Sequence, residues 1–172
     1  MSKRYILSVL VENHSGVLSR IAGLFSRRGY NITSLTVGET INPEVSRMTI
    51  ELYGDEYILE QIKKQLNKLE DVLKVIDLQP EQAVLRELVL IKVHADDHSR
   101  PAIIEVANIF RAKVVDISKE TLTMEITGEQ RKTCAFIDLM SSYRIKEIAR
   151  TGLTALERGN TELSQHNKYE KE

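Results

Sequence analysis

Residues 12–32 decide the fold: Glu12-Asn13-His14-Ser15-Gly16-Val17-Leu18-Ser19-Arg20 leads through Ile21 and Phe25 to Arg27-Arg28-Gly29-Tyr30-Asn31-Ile32. Ahead of it, Tyr5-Ile6-Leu7-Ser8-Val9-Leu10-Val11 is an apolar run of strand length. Inside it, Leu18, Ile21, Ala22 and Phe25 fall at i, i+3, i+4 and i+7, one face of a helix, and Gly29 stops that helix. Ile32 to Val37 is again strand-like. The stretch therefore reads as strand, glycine-bearing polar loop, helix, strand. A helix starting near Gly16 leaves backbone N–H groups without intrahelical partners beside the Asn13 amide, where a small carboxylate can bind.

Further along, residues 38–45, with Gly38, Asn42 and Pro43, read as loop, and Arg47 to Tyr53 alternates as a strand. Gly54-Asp55 opens a helix with Leu59, Ile62, Leu66 and Leu69 on one face, and Val72 to Leu78 closes a βαββαβ unit. The second half repeats it. Leu18, Ile21, Ala22 and Phe25 recur as Ile103, Val106, Ala107 and Phe110, and Asn31-Ile32 as Asp116-Ile117, each 85 residues on. Thr49-Ile50-Glu51-Leu52-Tyr53-Gly54 recurs as Thr123-Met124-Glu125-Ile126-Thr127-Gly128, 74 residues on, which predicts a loop between the second and third strands that is 11 residues shorter in the second copy. The fold class is α+β, two tandem ferredoxin-like domains over 1–79 and 80–158, joined near Gln79-Pro80-Glu81-Gln82. Residues 159–172 lack apolar periodicity and read as a disordered tail.

Such a unit forms a four-stranded antiparallel sheet with both helices on one face. The first strand is apolar at nearly every position, so both of its faces should be covered, and one helical layer covers only one. A homodimer or higher homo-oligomer is the expected remedy.

At 172 residues, 42% hydrophobic and 28% charged, the chain can hold one large domain or two of roughly 80 residues. A net charge of -1 gives no reason to expect nucleic acid or an acidic membrane surface as partner. The single cysteine, Cys134, excludes an intrachain disulfide and fits a reducing compartment. No apolar run approaches membrane-spanning length, and Met1-Ser2-Lys3-Arg4 leads directly into a strand-like segment, so neither a transmembrane helix nor a targeting peptide is expected. A cytoplasmic location follows as the expectation.

Glu12 to Arg20, with Arg28-Gly29-Tyr30-Asn31-Ile32 and Ser46-Arg47-Met48-Thr49-Ile50, closely resembles the ACT domain of the small regulatory subunit of acetohydroxyacid (acetolactate) synthase. The resemblance continues through Asp71-Val72-Leu73 and, more loosely, to Ala149-Arg150-Thr151-Gly152. It implies a chain, not an enzyme by itself, that activates a catalytic large subunit and makes it sensitive to valine or another branched-chain amino acid. Thiamine diphosphate, Mg2+ and FAD are then expected on the catalytic subunit and none in this chain. The effector site it implies covers Asn13, His14, Ser15, Gly16, Val17 and Leu18, with Asn31 and Ile32; Asn31 would reach a ligand beside a partner's Asn13 and Gly16.

The chemistry of the loop agrees with that implication. Backbone N–H groups and the helix dipole suit a carboxylate, Gly16 permits close approach, Asn13 offers an acceptor for an ammonium, and Val17, Leu18 and Ile32 can wall an isopropyl group. As a bare Asn-x-x-Gly the loop reads first as a helix cap and tight turn, and only the surrounding family motif favours the ligand role; Asn31 reads equally as a turn residue. In the second copy, His98, Arg100 and Pro101 stand for Asn13, Ser15 and Gly16. Proline removes an N–H and bulks the approach, so effector binding is expected in the first unit only.

Other candidates are weaker. His94 and His98 with Asp96 and Asp97 read as a solvated loop rather than a metal site. Cys134, beside Phe136, Ile137 and Met140, reads as a buried or half-buried structural thiol. The loop from Gly38 to Ser46, with Gly38 and Arg47, is the candidate surface for the catalytic subunit. RNA binding lacks the aromatic strand positions it needs, with only Tyr5 and Tyr53 near strand centres, and transcriptional control lacks a DNA-reading element. An ACT regulator of a different enzyme or of transcription remains the alternative.

Overall fold

The computed structural model describes residues 3–160; the expected tail lies outside them beyond residue 160. The described residues divide into two compact units at Val84/Leu85 and again at Gly152/Leu153, with residues 153–160 belonging to the first unit. Residues 153–158, expected in the second unit of 80–158, group with the first.

The first unit contains β1 (Lys3–Glu12), α1 (Val17–Arg27), β2 (Ile32–Glu39), β3 (Val45–Gly54), α2 (Glu56–Leu66) and β4 (Val72–Asp77). Its sheet has the order β2-β3-β1-β4 with antiparallel neighbours throughout. β5 (Ala83–His94) starts in this unit and runs into the second, which continues with α3 (Arg100–Ile109), β6 (Lys113–Ile117), β7 (Thr121–Gly128), α4 (Gln130–Met140) and β8 (Ile145–Arg150) in the order β6-β7-β5-β8. Both are ferredoxin-like βαββαβ units.

Alternation along β1 sends Tyr5, Leu7, Val9 and Val11 to the helical side, against Met48, Ile50 and Leu52 of β3 and Leu59, Ile62 and Leu66 of α2. Asp55 caps α2, its carboxylate accepting the Ile58 N–H at 2.8 Å, and Lys63 and Lys64 lie in the last turn, where positive charge suits the dipole. α1 differs from expectation in its phase. Its buried residues are Val17, Ile21, Leu24 and Phe25, whereas Leu18 and Ala22 are exposed. The helix begins at Val17, directly after the left-handed Gly16, and that start turns Val17 rather than Leu18 inward.

Ile6, Ser8 and Leu10 on the other face of β1 are also buried within this single chain. The C-terminal segment helps to cover that side: Leu153 N–H donates to Ser34 Oγ at 2.9 Å, the Thr36 hydroxyl donates to the Leu153 carbonyl, and Leu153 and Ala155 are 2% exposed. β9 (Thr154–Glu157) pairs with β5, and Arg158 N–H reaches the Gln82 carbonyl at 2.8 Å. That side of the sheet thus receives part of its cover from the chain's own C-terminal segment.

In the second unit, Val89, Ile91 and Val93 pack with Leu122, Met124, Ile126, Ile103 and Phe136. The sheet register corrects one element of the repeat. Thr36 pairs with Thr49 and Val37 with Met48, while Asp116 pairs with Thr123 and Ile117 with Leu122. Asp116-Ile117 thus corresponds to Thr36-Val37, not Asn31-Ile32, and the missing residues are divided between the approach to β6 and the hairpin. A two-residue match in a period-two strand cannot fix register. Cys134 is exposed, correcting its assignment to the interior. The buried stripe of α4 is Thr133, Phe136 and Met140, which carries position 134 outward. Beneath it, the buried Glu87 carboxylate accepts from the Thr133 hydroxyl and from Arg150 Nη2 at 2.6 Å.

Candidate effector site

The loop between β1 and α1 is held by backbone and side-chain bonds from two other turns. Glu12 N–H donates to the Asp71 carbonyl at 2.9 Å and Asn13 N–H to the Glu44 carbonyl at 2.8 Å. The Asn13 amide donates to the Pro43 carbonyl at 2.7 Å and to Glu39 Oε1 at 3.2 Å. Its Nδ2 is thereby committed to the β2–β3 hairpin, and Oδ1 is the atom it can offer to a donor.

Gly16 has φ 90, a conformation that an L side chain adopts at a cost, and it stands as the N-cap of α1 with no side-chain cap. The first intrahelical bond is Arg20 N–H to the Gly16 carbonyl at 3.0 Å. The N–H groups of Val17, Leu18 and Ser19 are those the helix leaves unused. Neither Asn13 nor Ser15 caps them, so the cap reading of this loop does not describe it. No acidic residue lies in the first turn of α1. The positive end of the helix is open.

The remaining predicted residues divide by exposure. Asn13, His14, Ser15 and Gly16 are exposed, Leu18 is exposed beside them, and Asn31 is exposed just before β2. Val17 lies in the core and presents only its backbone; Ile32 is half-buried against the same core. Gly38 and Arg47 are direct cross-strand partners in β2 and β3, so the expected loop of 38–46 narrows to 40–44 between longer strands. They line an open groove of about 900 Å³ with Ile41, Leu156 and Glu157. Burial pulls the Arg47 guanidinium below its ordinary range, and the charge of Glu157 opposes that shift.

One cluster escaped the sequence reading. His14 Nε2 lies 3.0 Å from Asp71 Oδ1 and 3.3 Å from Glu12 Oε2, while its Nδ1 is 3.1 Å from the Ser15 carbonyl. Arg20 Nε holds the other Asp71 oxygen at 3.0 Å. The Ser15 carbonyl chiefly holds the imidazole above its ordinary pKa; desolvation is the next largest effect and opposes it, and the carboxylates of Asp71 and Glu12 add to the rise. Asp71 is distant in sequence, and only the pairing of β4 with β1 brings it here.

The equivalent loop of the second unit is closed by its own side chains. Asp96 accepts from the His98 N–H at 3.0 Å, the Ser99 N–H at 2.7 Å and the Ser99 hydroxyl at 2.8 Å. Arg100 Nη2 donates to the carbonyls of Ala95, Ser118 and Lys119 at 3.2, 2.9 and 2.8 Å. An internal carboxylate occupies donors in the second copy; the first copy has none there.

Tandem βαββαβ units, the first with an uncapped, glycine-led helix start, define a regulatory chain of the ACT class. Residues 7–74 match the family model for the acetohydroxyacid synthase small subunit-like ACT domain, and residues 86–159 match that for the small subunit of acetolactate synthase. The probable acetolactate synthase small subunit of Methanothermobacter thermautotrophicus is 54% identical over 157 residues, 91% of this chain and 94% of that one. The acetolactate synthase small subunit of Mycobacterium bovis is 51% identical with the same coverage. The crystal structure of the acetolactate synthase small subunit of Thermotoga maritima aligns with a TM-score of 0.86 at 44% identity, over 92% of this chain and 99% of that one. The chain belongs to the acetolactate synthase small-subunit family.

Proposed function

We propose that this chain binds the catalytic subunit of acetolactate synthase, raises its activity, and confers feedback inhibition by valine or another branched-chain amino acid. The observation that carries the effector part is the contrast between the open helix start at Gly16 and its self-closed counterpart at Asp96–Arg100. The effector carboxylate is received by the N–H groups from Gly16 to Ser19, its ammonium by Asn13 Oδ1, and its side chain by the exposed Leu18. Asn31 and Ile32 complete the site from a second chain in a dimer, with His14 and Ser15 shaping the loop. Thiamine diphosphate, Mg2+ and FAD act on the catalytic subunit. The Gly38–Arg47 rung and the hairpin tip at Ile41 meet that subunit.

Mixing the full chain with the catalytic subunit and following acetolactate formation with and without valine tests both parts. Activation that valine reverses is the expected result. No activation would sink the partner assignment, and activation indifferent to all three branched-chain amino acids would sink the effector assignment.

A further inference from the structure

Resting on the effector reading of the 13–19 loop, we infer that His14 is a proton-linked switch: its imidazolium form fixes the Ser15–Gly16 peptide and so favours effector binding. The argument is one of donors and acceptors. Nδ1 faces the Ser15 carbonyl, and Nε2 faces the carboxylates of Asp71 and Glu12. All three partners only accept hydrogen bonds, so the ring must donate from both nitrogens. Only the doubly protonated form does so. Loss of either proton sets a lone pair against an acceptor oxygen, and one side of the contact must release.

The side that matters is the Ser15 carbonyl. It belongs to the same rigid peptide plane as the Gly16 N–H, the first donor of the proposed carboxylate seat. A proton on Nδ1 therefore fixes where that N–H points. Its partners come from three different elements: Glu12 from the end of β1, Asp71 from the turn before β4, and Arg20 from α1, which neutralises one carboxylate. Glu39 of β2 adds a further negative charge through Asn13. Two or three carboxylates against one guanidinium favour the extra proton on the ring.

The sign follows from linkage. The bound amino acid carries an ammonium as well as a carboxylate, so the sign rests on the Nδ1 contact that orients the Ser15–Gly16 peptide: the proton that fixes this peptide raises effector affinity, and the effector raises the proton affinity of His14 by the same factor. Binding is strongest at low pH, weakens as pH rises through the titration of His14, and takes up a fraction of a proton. A one-unit rise in the His14 pKa on binding corresponds to at most about tenfold in affinity.

Valine is titrated calorimetrically into the full chain in chelator-treated buffers from about pH 5 to about pH 8, in two buffers of different ionisation heat. The expected result is a weakening of about three- to tenfold across that range, with buffer-dependent heats that report proton uptake. In His14→Gln the affinity should become flat with pH, and the proton uptake should vanish. The wild-type His14 ring resonance, followed by NMR, should titrate at higher pH with valine present, a readout independent of the variant's folding. Wild-type binding that is flat with pH and free of proton uptake overturns the switch while leaving the effector site intact. Unchanged pH dependence in His14→Gln also overturns it. No binding at any pH overturns the effector reading, and the switch with it.

Discussion

In the proposed effector site Asn13 and Gly16 carry different parts of the work, and their substitutions should separate. Gly16→Ala puts a Cβ on a backbone with φ 90; its nearest neighbour there, Arg20 Nη2 at 3.8 Å, leaves room, so the cost is conformational, about 1–2 kcal/mol. Chemical denaturation should show that loss, and the holoenzyme should keep activation while valine inhibition falls by at least about tenfold. Asn13→Ala removes the bonds to Pro43 and Glu39, so it should weaken valine inhibition and also raise hydrogen exchange in the 40–44 hairpin. Inhibition unchanged in both variants would remove the site from this loop. In the second unit, Glu87→Ala leaves Arg150 and the Thr133 hydroxyl without their buried acceptor and should cost about 2–3 kcal/mol in denaturant unfolding. Sequence exposed Asn13 and Gly16 as candidates because composition and spacing are local properties. It missed Asp71 and Glu39 because their approach depends on strand pairing, and it placed Cys134 inside because neighbouring apolar residues do not by themselves fix a helix's phase.

At the level of elements, the periodic signals were the legible ones. Both units have the expected order of strands and helices along the chain, and each βαββαβ unit forms the expected antiparallel sheet. What failed was phase: α1 turns by one residue because a left-handed glycine sets its first turn, and β6 slides because alternation has only two phases. The hairpin between β2 and β3 is the element that links the proposed effector and partner surfaces. It binds Asn13 from one side and carries Ile41, fully exposed, at its tip. Deleting residues there would disturb the effector loop as well, so Ile41→Ser is the cleaner variant. It should lower activation of the catalytic subunit several-fold, on the order of 1–2 kcal/mol of lost contact, with calorimetric valine binding unchanged. Full activation by Ile41→Ser would remove the tip from the partner surface.

For the molecule as a whole, the first unit is not contiguous in sequence. The first is completed by residues 153–159, which hold Ser34, Thr36 and Gln82 through backbone bonds. A fragment ending near Gln79 therefore lacks part of its own structure, and effector titrations belong on the full chain. Ending the chain after Gly152 should remove the burial of Leu153 and Ala155, destabilise the first unit by about 2–4 kcal/mol, and lower its thermal transition more than that of the second. An unchanged first transition would show that the return segment is ornamental. The same feature sets the order in which the molecule can be made. The second unit is contiguous and can close as soon as residue 152 leaves the ribosome, whereas the first also takes up residues 153–159, which are made after the whole of the second. The half that is translated first therefore gains its last strand only after the other half is complete, and a chain stopped before residue 153 is expected to carry a weakened first unit beside an intact second one.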